Sequence, residues 1–263
     1  MSHAIEEAIA NRLWEASENK APCAPVRDEL GKDNIPGAYR VQYSNAKKCI
    51  ANGDIHVGFK VGMTSAAVQR QLGYFEPNFG HLFKSREYLH GVSLPHATLI
   101  QPRAEGEIAF ILKNDLSHAG LRLPDVVRSI DHAVSSIELL DSRIVGWDIG
   151  PVDSIADNGC GGVHVLGMFP RKVTDCDLAL CGMIGRKNGR IESLGVGAAS
   201  MTNPLLAVLW LAQKLALTDR PLRAGDVVLS GSLGPIVTLA PGDIFEVEIG
   251  GLGSTSVHLS NRE

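Results

Sequence analysis

Glu105 and Glu107 stand one residue apart in "QPRAEGEIAF", inside a run that is otherwise largely apolar and strand-like. Side chains two apart on a strand share a face, so both carboxylates point the same way. Like charges on a desolvated face cost several kcal/mol unless something positive sits between them. Either that face is open to water, as on many antiparallel strands, or the two acids hold a cation. A third acid, Glu138 in "SSIELLD", shares a strand face with Ser136 and Leu140. Three carboxylates from two strands suit a hard divalent ion such as Mg²⁺, with Mn²⁺ as the alternative, and leave coordination positions for water and substrate. Lys60 interrupts the apolar and glycine run "VGFKVGM". It either snorkels its ammonium to solvent or stays desolvated beside the acids, where it could polarise a carbonyl or move a proton. His132 and His164 are isolated, and no His/Cys cluster has zinc spacing.

The elements that must position these groups follow from periodicity. Ile5, Ile9, Leu13 and Ala16 recur at helical spacing, and a second helix is predicted over 38–51, with a Pro-rich charged loop between them. "HVGFKVGMTS" reads as a strand running into a capped helix, "AAVQRQLG". "EPNFGHLF" reads as a loop punctuated by Pro and Gly. Strands then dominate: one through Glu105 and Glu107, a short helix around "PDVVRSIDHA", one through Glu138, "GGVHVLG", and a hairpin turning at Asn188-Gly189. Asn203-Pro204 caps a helix through about Leu217, and four short strands close the chain. The fold class is α+β: a helical N-terminal region with the first strand (1–75) on a β-rich catalytic body (76–263), as one continuous unit. The dinucleotide-binding βαβ rhythm is absent.

The 263 residues are 44% hydrophobic and 21% charged with a net charge of -4, so one large core is affordable and a nucleic-acid footprint is excluded by the lack of a dense basic run. The longest apolar stretch, "PLLAVLWLAQKLAL", is too short to span a membrane. Five cysteines without C-x-x-C, and a first helix without an apolar signal core, fit a reduced cytoplasmic setting.

In order along the chain, "GFKVGMTSAAVQRQLGYFEPNFGHLF", "LIQPRAEGEIAFIL", "IELLDSRIVGWDIGPVDSIADNGCGG" and "GAASMTNPLLAVLWLA" resemble the 2-keto-4-pentenoate hydratases and the related 4-oxalocrotonate decarboxylases of the fumarylacetoacetate hydrolase superfamily. The resemblance runs from about residue 36 to 258. It implies a mixed β-roll or barrel body with flanking helices, a homo-oligomer, and a small 2-oxo acid substrate. It implies Glu105, Glu107 and Glu138 as metal ligands and Lys60 as the active-site lysine. It also makes Asp157, and Ser232 in "LSGSLG", candidate substrate contacts; Ser232 otherwise ends a strand in a plain turn.

The chemistry implied is addition of water to a 2-hydroxy-2,4-dienoate: protonation at C5, then water at C4, with charge on the C2 oxygen stabilised by the ion. Decarboxylation uses the same enolate, so the motifs do not separate the two. A decarboxylase acting on 4-oxalocrotonate needs a cation for the second carboxylate, for which Arg103 is a candidate. C–C bond hydrolysis needs a His–Glu pair that no motif supplies. Relatives carry Asp where this chain has Asn78, and an amide is no acid or base. Either His81 takes over the proton or it is a surface loop histidine; a metal-binding paralogue without activity is the remaining reading. Cys160 reads as a buried inert thiol or a pocket wall, Arg143 as a partner of Asp141 or Asp148, and Gly106 as a close approach or a bulge.

Overall fold

The computed structural model describes residues 3–261. Three helices open it: α1 (His3–Asn19), α2 (Arg27–Leu30) and α3 (Ile35–Ala51). Then come β1 (His56–Gly62), α4 (Ala66–Leu72), β2 (Asn78–Phe83), β3 (Glu87–Leu89), β4 (Val92–Pro95), β5 (Arg103–Leu112), α5 (Leu123–Ser129) and β6 (Ile130–Leu140). The remainder is α6 (Pro151–Ala156), β7 (Gly161–Leu166), β8 (Gly182–Lys187), β9 (Arg190–Val196), α7 (Pro204–Leu215), β10 (Val227–Leu229), β11 (Val237–Thr238), β12 (Ile244–Ile249) and β13 (Gly253–Ser260).

Local signals explain much of this. The Asn203 side chain accepts from Leu205 N at 3.0 Å and Pro204 fills the first turn, which starts α7. Asn188 and Gly189, at φ 53° and 79°, make the two-residue turn between β8 and β9. One element departs from expectation. "EPNFGHLF" is not a loop: residues 78–83 form strand β2, antiparallel to β1. Pro77 lies just outside it, and Gly80 sits in a strand because a Cβ there would come within 2.3 Å of Asn158 O.

The strands form two sheets. The larger runs β2-β1-β10-β5-β6-β7-β3, with β11 added on β5; the smaller runs β4-β13-β12-β8-β9. The main core lies between them and under α7, with Phe59, Ile108, Phe110 and Ile137 from the first sheet against Phe245 and Val247 from the second. Gly106 is where the sheets come closest. A Cβ there would meet Met183 Sδ and Val247 Cγ2 at 2.5 Å each, so the glycine serves close approach, while the register slip in β5 falls at Ile111/Leu112. The larger sheet rolls: β2 swings back towards β7, and Leu82, Phe83, Val163 and His164 line one crevice. Inside the roll, Leu82, Ala109, Val134, Val227 and Leu229 make a small second core. A third core joins α1, α2, α3 and α6 through Ile9, Leu13, Leu30, Val41 and Ile155. The division expected near residue 75 falls between β1 and β2, which are paired within one sheet. Among the described residues no helix is long and apolar enough to cross a membrane.

Candidate active site

Sheet register brings the three acids together. Glu105 lies directly opposite Glu138 across the β5–β6 pair, and Glu107 is one pleat along on the same face. Their carboxylates offer oxygens within 4.8 Å of one another, all three residues being buried. Glu107 Oε2 accepts from Gly231 N at 2.9 Å. Glu107 Oε1 and both oxygens of Glu138 are buried with no hydrogen-bond partner. Burial first, and the Glu138 charge second, push the Glu105 carboxyl up to about 7; the same two causes raise Glu107. Desolvated, mutually repelling carboxylates with vacant lone pairs are what a hard divalent cation would satisfy, and the donor set fits one.

Lys60 completes the cluster. It does not snorkel: the side chain is 3% exposed, with Nζ 3.2 Å from Glu138 Oε2 and donating to Gly159 O at 2.9 Å. Burial opposes its charge, but the carboxylates, Glu138 foremost, outweigh this and push the ammonium up to about 12. Three glycines make the space. Cβ atoms on Gly62, Gly80 and Gly159 would approach the Lys60 side chain to 3.3, 3.2 and 3.1 Å. Asn78, opposite Gly62 in the β1–β2 pair, belongs to the same face. It is 1% exposed, its Nδ2 donates to Ser154 Oγ at 3.1 Å, and its Oδ1 has no partner. The arrangement is an anionic cavity wall with one buried ammonium and one unpartnered amide oxygen beside it.

With this geometry in view, comparison with known proteins is decisive. Residues 66–260 match the fumarylacetoacetate (FAA) hydrolase C-terminal family. The chain belongs to that family. It is 44% identical to the TodF product hydratase of Pseudomonas putida F1, over 94% of this chain and 92% of that one. It is 40% identical to the 2-keto-4-pentenoate hydratase of Paraburkholderia xenovorans, over 98% and 96%. The solved 4-oxalocrotonate decarboxylase of Pseudomonas putida G7, complexed with magnesium and adipate, superposes with a TM-score of 0.94 at 30% identity, covering 98% of both chains.

Within this member of the FAA hydrolase family, other residues singled out in the sequence sit elsewhere. His81 is a correction. It pairs with Phe59 while Lys60 pairs with Gly80, so its ring is on the face opposite the acids. There it packs among Phe59, Phe79 and Phe83, and its Nδ1 lies 2.8 Å from His56 Nε2. Burial above all drives its pKa down to about 3, so it is neutral at neutral pH and is no shuttle for the Lys60 face. Asp157 is a second correction. Its carboxylate is consumed by Arg143 Nε, Arg143 N and Ser142 Oγ at 2.5, 2.9 and 3.0 Å, which leaves it an anchor and not a substrate contact. Arg143 thus pairs with Asp157; its Nη1 donates to Asp141 O, while Asp148 pairs with Arg27. Ser232 Oγ donates to Gly234 O at 2.6 Å and stays half-buried one residue after Gly231. Cys160 is buried and its thiol is pushed up to about 12, chiefly by burial. Arg103 stacks on Trp147, 4.2 Å from the ring centroid.

Two contributors went unnoticed in the sequence, Gly231 N–H and the Gly159 carbonyl. Backbone groups carry no residue-type signal; the "D-N-G" preceding Cys160, with Gly159 at φ 61°, was the one hint of a special loop.

Proposed function

We propose that the chain is a divalent-metal-dependent hydro-lyase that adds water to a 2-hydroxy-2,4-dienoate, giving a 4-hydroxy-2-oxo acid in the meta-cleavage breakdown of aromatic rings. The observation that carries this reading is the buried Glu105–Glu107–Glu138 cluster with Lys60 at its edge. Glu105, Glu107 and Glu138 would hold the ion, Mg²⁺ or Mn²⁺, leaving positions open to substrate. Bound there, it would supply Lewis acidity, stabilising negative charge on a chelating oxygen.

The chain's own groups do the rest. Gly231 N–H and the strand register fix the Glu107 carboxylate before any substrate arrives. Lys60, protonated and held by Gly159 O, presents a positive charge and a proton beside the acids, where substrate charge builds up. Asn78 offers its free Oδ1 to a substrate or water proton as an acceptor only, because an amide cannot release one. The small core continues the acids' face of the sheet through Ala109 and Leu229, so that end of the site is apolar. The reading includes a cytoplasmic homo-oligomer, as expected from the sequence.

The second reading, decarboxylation of a 4-oxalocrotonate-type substrate, is favoured by the superposition on the decarboxylase. Against it, Arg103, the candidate holder of a second carboxylate, is stacked on Trp147. A panel of 2-hydroxydienoates differing at C5, followed by loss of dienol absorbance and by CO₂ release, tests both. Absorbance loss without CO₂ supports hydration; CO₂ in step with substrate loss replaces it with decarboxylation.

A further inference from the structure

A cavity of about 50 Å³ lies between the N-terminal helices and the far side of the 157–158 loop. Trp14 and Ser17 of α1, Asn45 and Cys49 of α3, and Arg86 and Arg143 line it. That is room for a few waters or one small ion. Its two guanidiniums differ. Arg143 is saturated by Asp157, Asp141 O and Gly161 O. Arg86, in the turn after β2, makes no hydrogen bond or ion pair with any described residue.

The acids that act on Arg86 are already engaged. Asp54 is taken by Ile55 N and by Ser85 N and Oγ. Asp141 Oδ1 accepts from Ile100 N and Gln101 N, and Asp157 serves Arg143. Two donors around the cavity are equally idle: Trp14 Nε1 and Ser17 Oγ have no hydrogen-bond partner among the described residues. Burial first, then the neighbouring Arg143 charge, disfavour the Arg86 cation. A half-buried guanidinium with no hydrogen bond or ion pair of its own, lining a cavity beside unused donors, is an arrangement that an anion stabilises.

We propose that this cavity binds a small oxyanion, a carboxylate or a phosphate group, through Arg86, with Trp14 and Ser17 as further donors. Arg presents parallel N–H groups that match either oxyanion. The site is separate from the acids, and it touches Asp157 and Asn158, the residues just before the Gly159 carbonyl that holds Lys60.

The test is thermal unfolding of the full chain, titrated with sodium phosphate or sodium acetate against sodium chloride at matched ionic strength. A saturable rise in Tm of about 5 °C at a hundredfold excess over Kd is expected with one of the two oxyanions, and which one responds identifies the source. Arg86→Met should abolish the rise and Lys60→Met should keep it, which separates this cavity from the acid cluster and from general salt effects. Equal responses in wild type and Arg86→Met, or a wild-type response no larger than with chloride, overturn the proposal. Should Arg86→Met fail to fold by circular dichroism, wild-type crystals soaked in sodium selenate decide: anomalous density beside Arg86 upholds the site, and its absence there overturns it.

Discussion

Lys60 Nζ and Glu138 Oε2 meet at 3.2 Å with side chains 3% and 1% exposed, and they do so without a hydrogen bond between them. The ammonium spends its hydrogen bond on the Gly159 carbonyl instead and contributes charge to the acids. A buried pair of this kind is a poor source of net stability, because desolvation costs offset the attraction. Function is the better reason to keep it.

Lys60→Met, close in length but uncharged, should therefore cut kcat by roughly 10² or more, the usual range for losing a proton donor or charge stabiliser. Divalent-metal affinity should hold or rise, since a competing cation is gone. Parallel metal titration and turnover measure both. Turnover within a few fold of wild type would remove Lys60 from the mechanism.

Glu107→Gln should abolish most activity and weaken divalent-metal binding, as one of three oxygen ligands is lost. The metal-free variant should nevertheless melt higher than metal-free wild type, because one of three crowded acids is gone. Calorimetry in chelator against saturating Mg²⁺ reads the two effects separately. A variant that binds metal as tightly as wild type sinks the ligand assignment.

The same crowding sets a pH dependence for the metal-free protein. Glu105 is raised from 4.5 to about 7 in the folded chain, so between those values the folded state binds more protons than the unfolded one. The stability gained from this difference is present below about 4.5 and is lost as pH rises through 7, by up to ~1.4 kcal/mol per pH unit for one fully differential proton. Saturating Mg²⁺ should flatten that slope. Denaturant melts at several pH values, with and without metal, check it; identical slopes would mean that the acids do not share an ion.

His81→Ala should leave kcat within a few fold of wild type while lowering stability by about 2–4 kcal/mol through loss of a buried ring. His81 and His56 are both depressed to about 3, so their neutral forms stabilise the fold above 6.5, and this contribution is lost as pH falls towards 3. The variant should lose part of that acid sensitivity and keep its pH–rate profile. A hundredfold loss of kcat would return His81 to the chemistry.

Asn78→Asp should be tolerated or more active, since it places an ionisable group beside Lys60, and Ser154 Oγ can donate to the new carboxylate. Steady-state kinetics decide. A loss of more than tenfold would show that the amide itself is required.

The carboxylate cluster was legible because strand parity is local. Glu105 and Glu107 must share a face, and the β5–β6 register then places Glu138 opposite Glu105. His81 was misplaced for the same reason in reverse. Once "EPNFGHLF" is a strand, Asn78 and His81, three apart, cannot share a face, and reading Pro77 and Gly80 as loop punctuation hid that parity. Asp157 failed differently: its partner Arg143 is 14 residues away, on a loop with no periodicity to announce the pair. Lys60 is aligned with the acids by the parallel β1–β10 pairing, which sets Gly58 against Val227. No local pattern specifies so distant a neighbour.

That pairing also governs when the site can come into existence. β10 lies between the strand of Lys60 and the strand of Glu105 and Glu107. A nascent chain still lacking Val227–Leu229 can pair β5 with β6 and gather the three acids, while Lys60 is tied to them from the other side alone, through the β1–β2 pair and the hydrogen bonds between His81 and Asn158. Because such long-range contacts form slowly, the acids would be assembled for an interval during synthesis before β10 locks the strand of Lys60 beside them, and a divalent ion captured then would act as a folding aid.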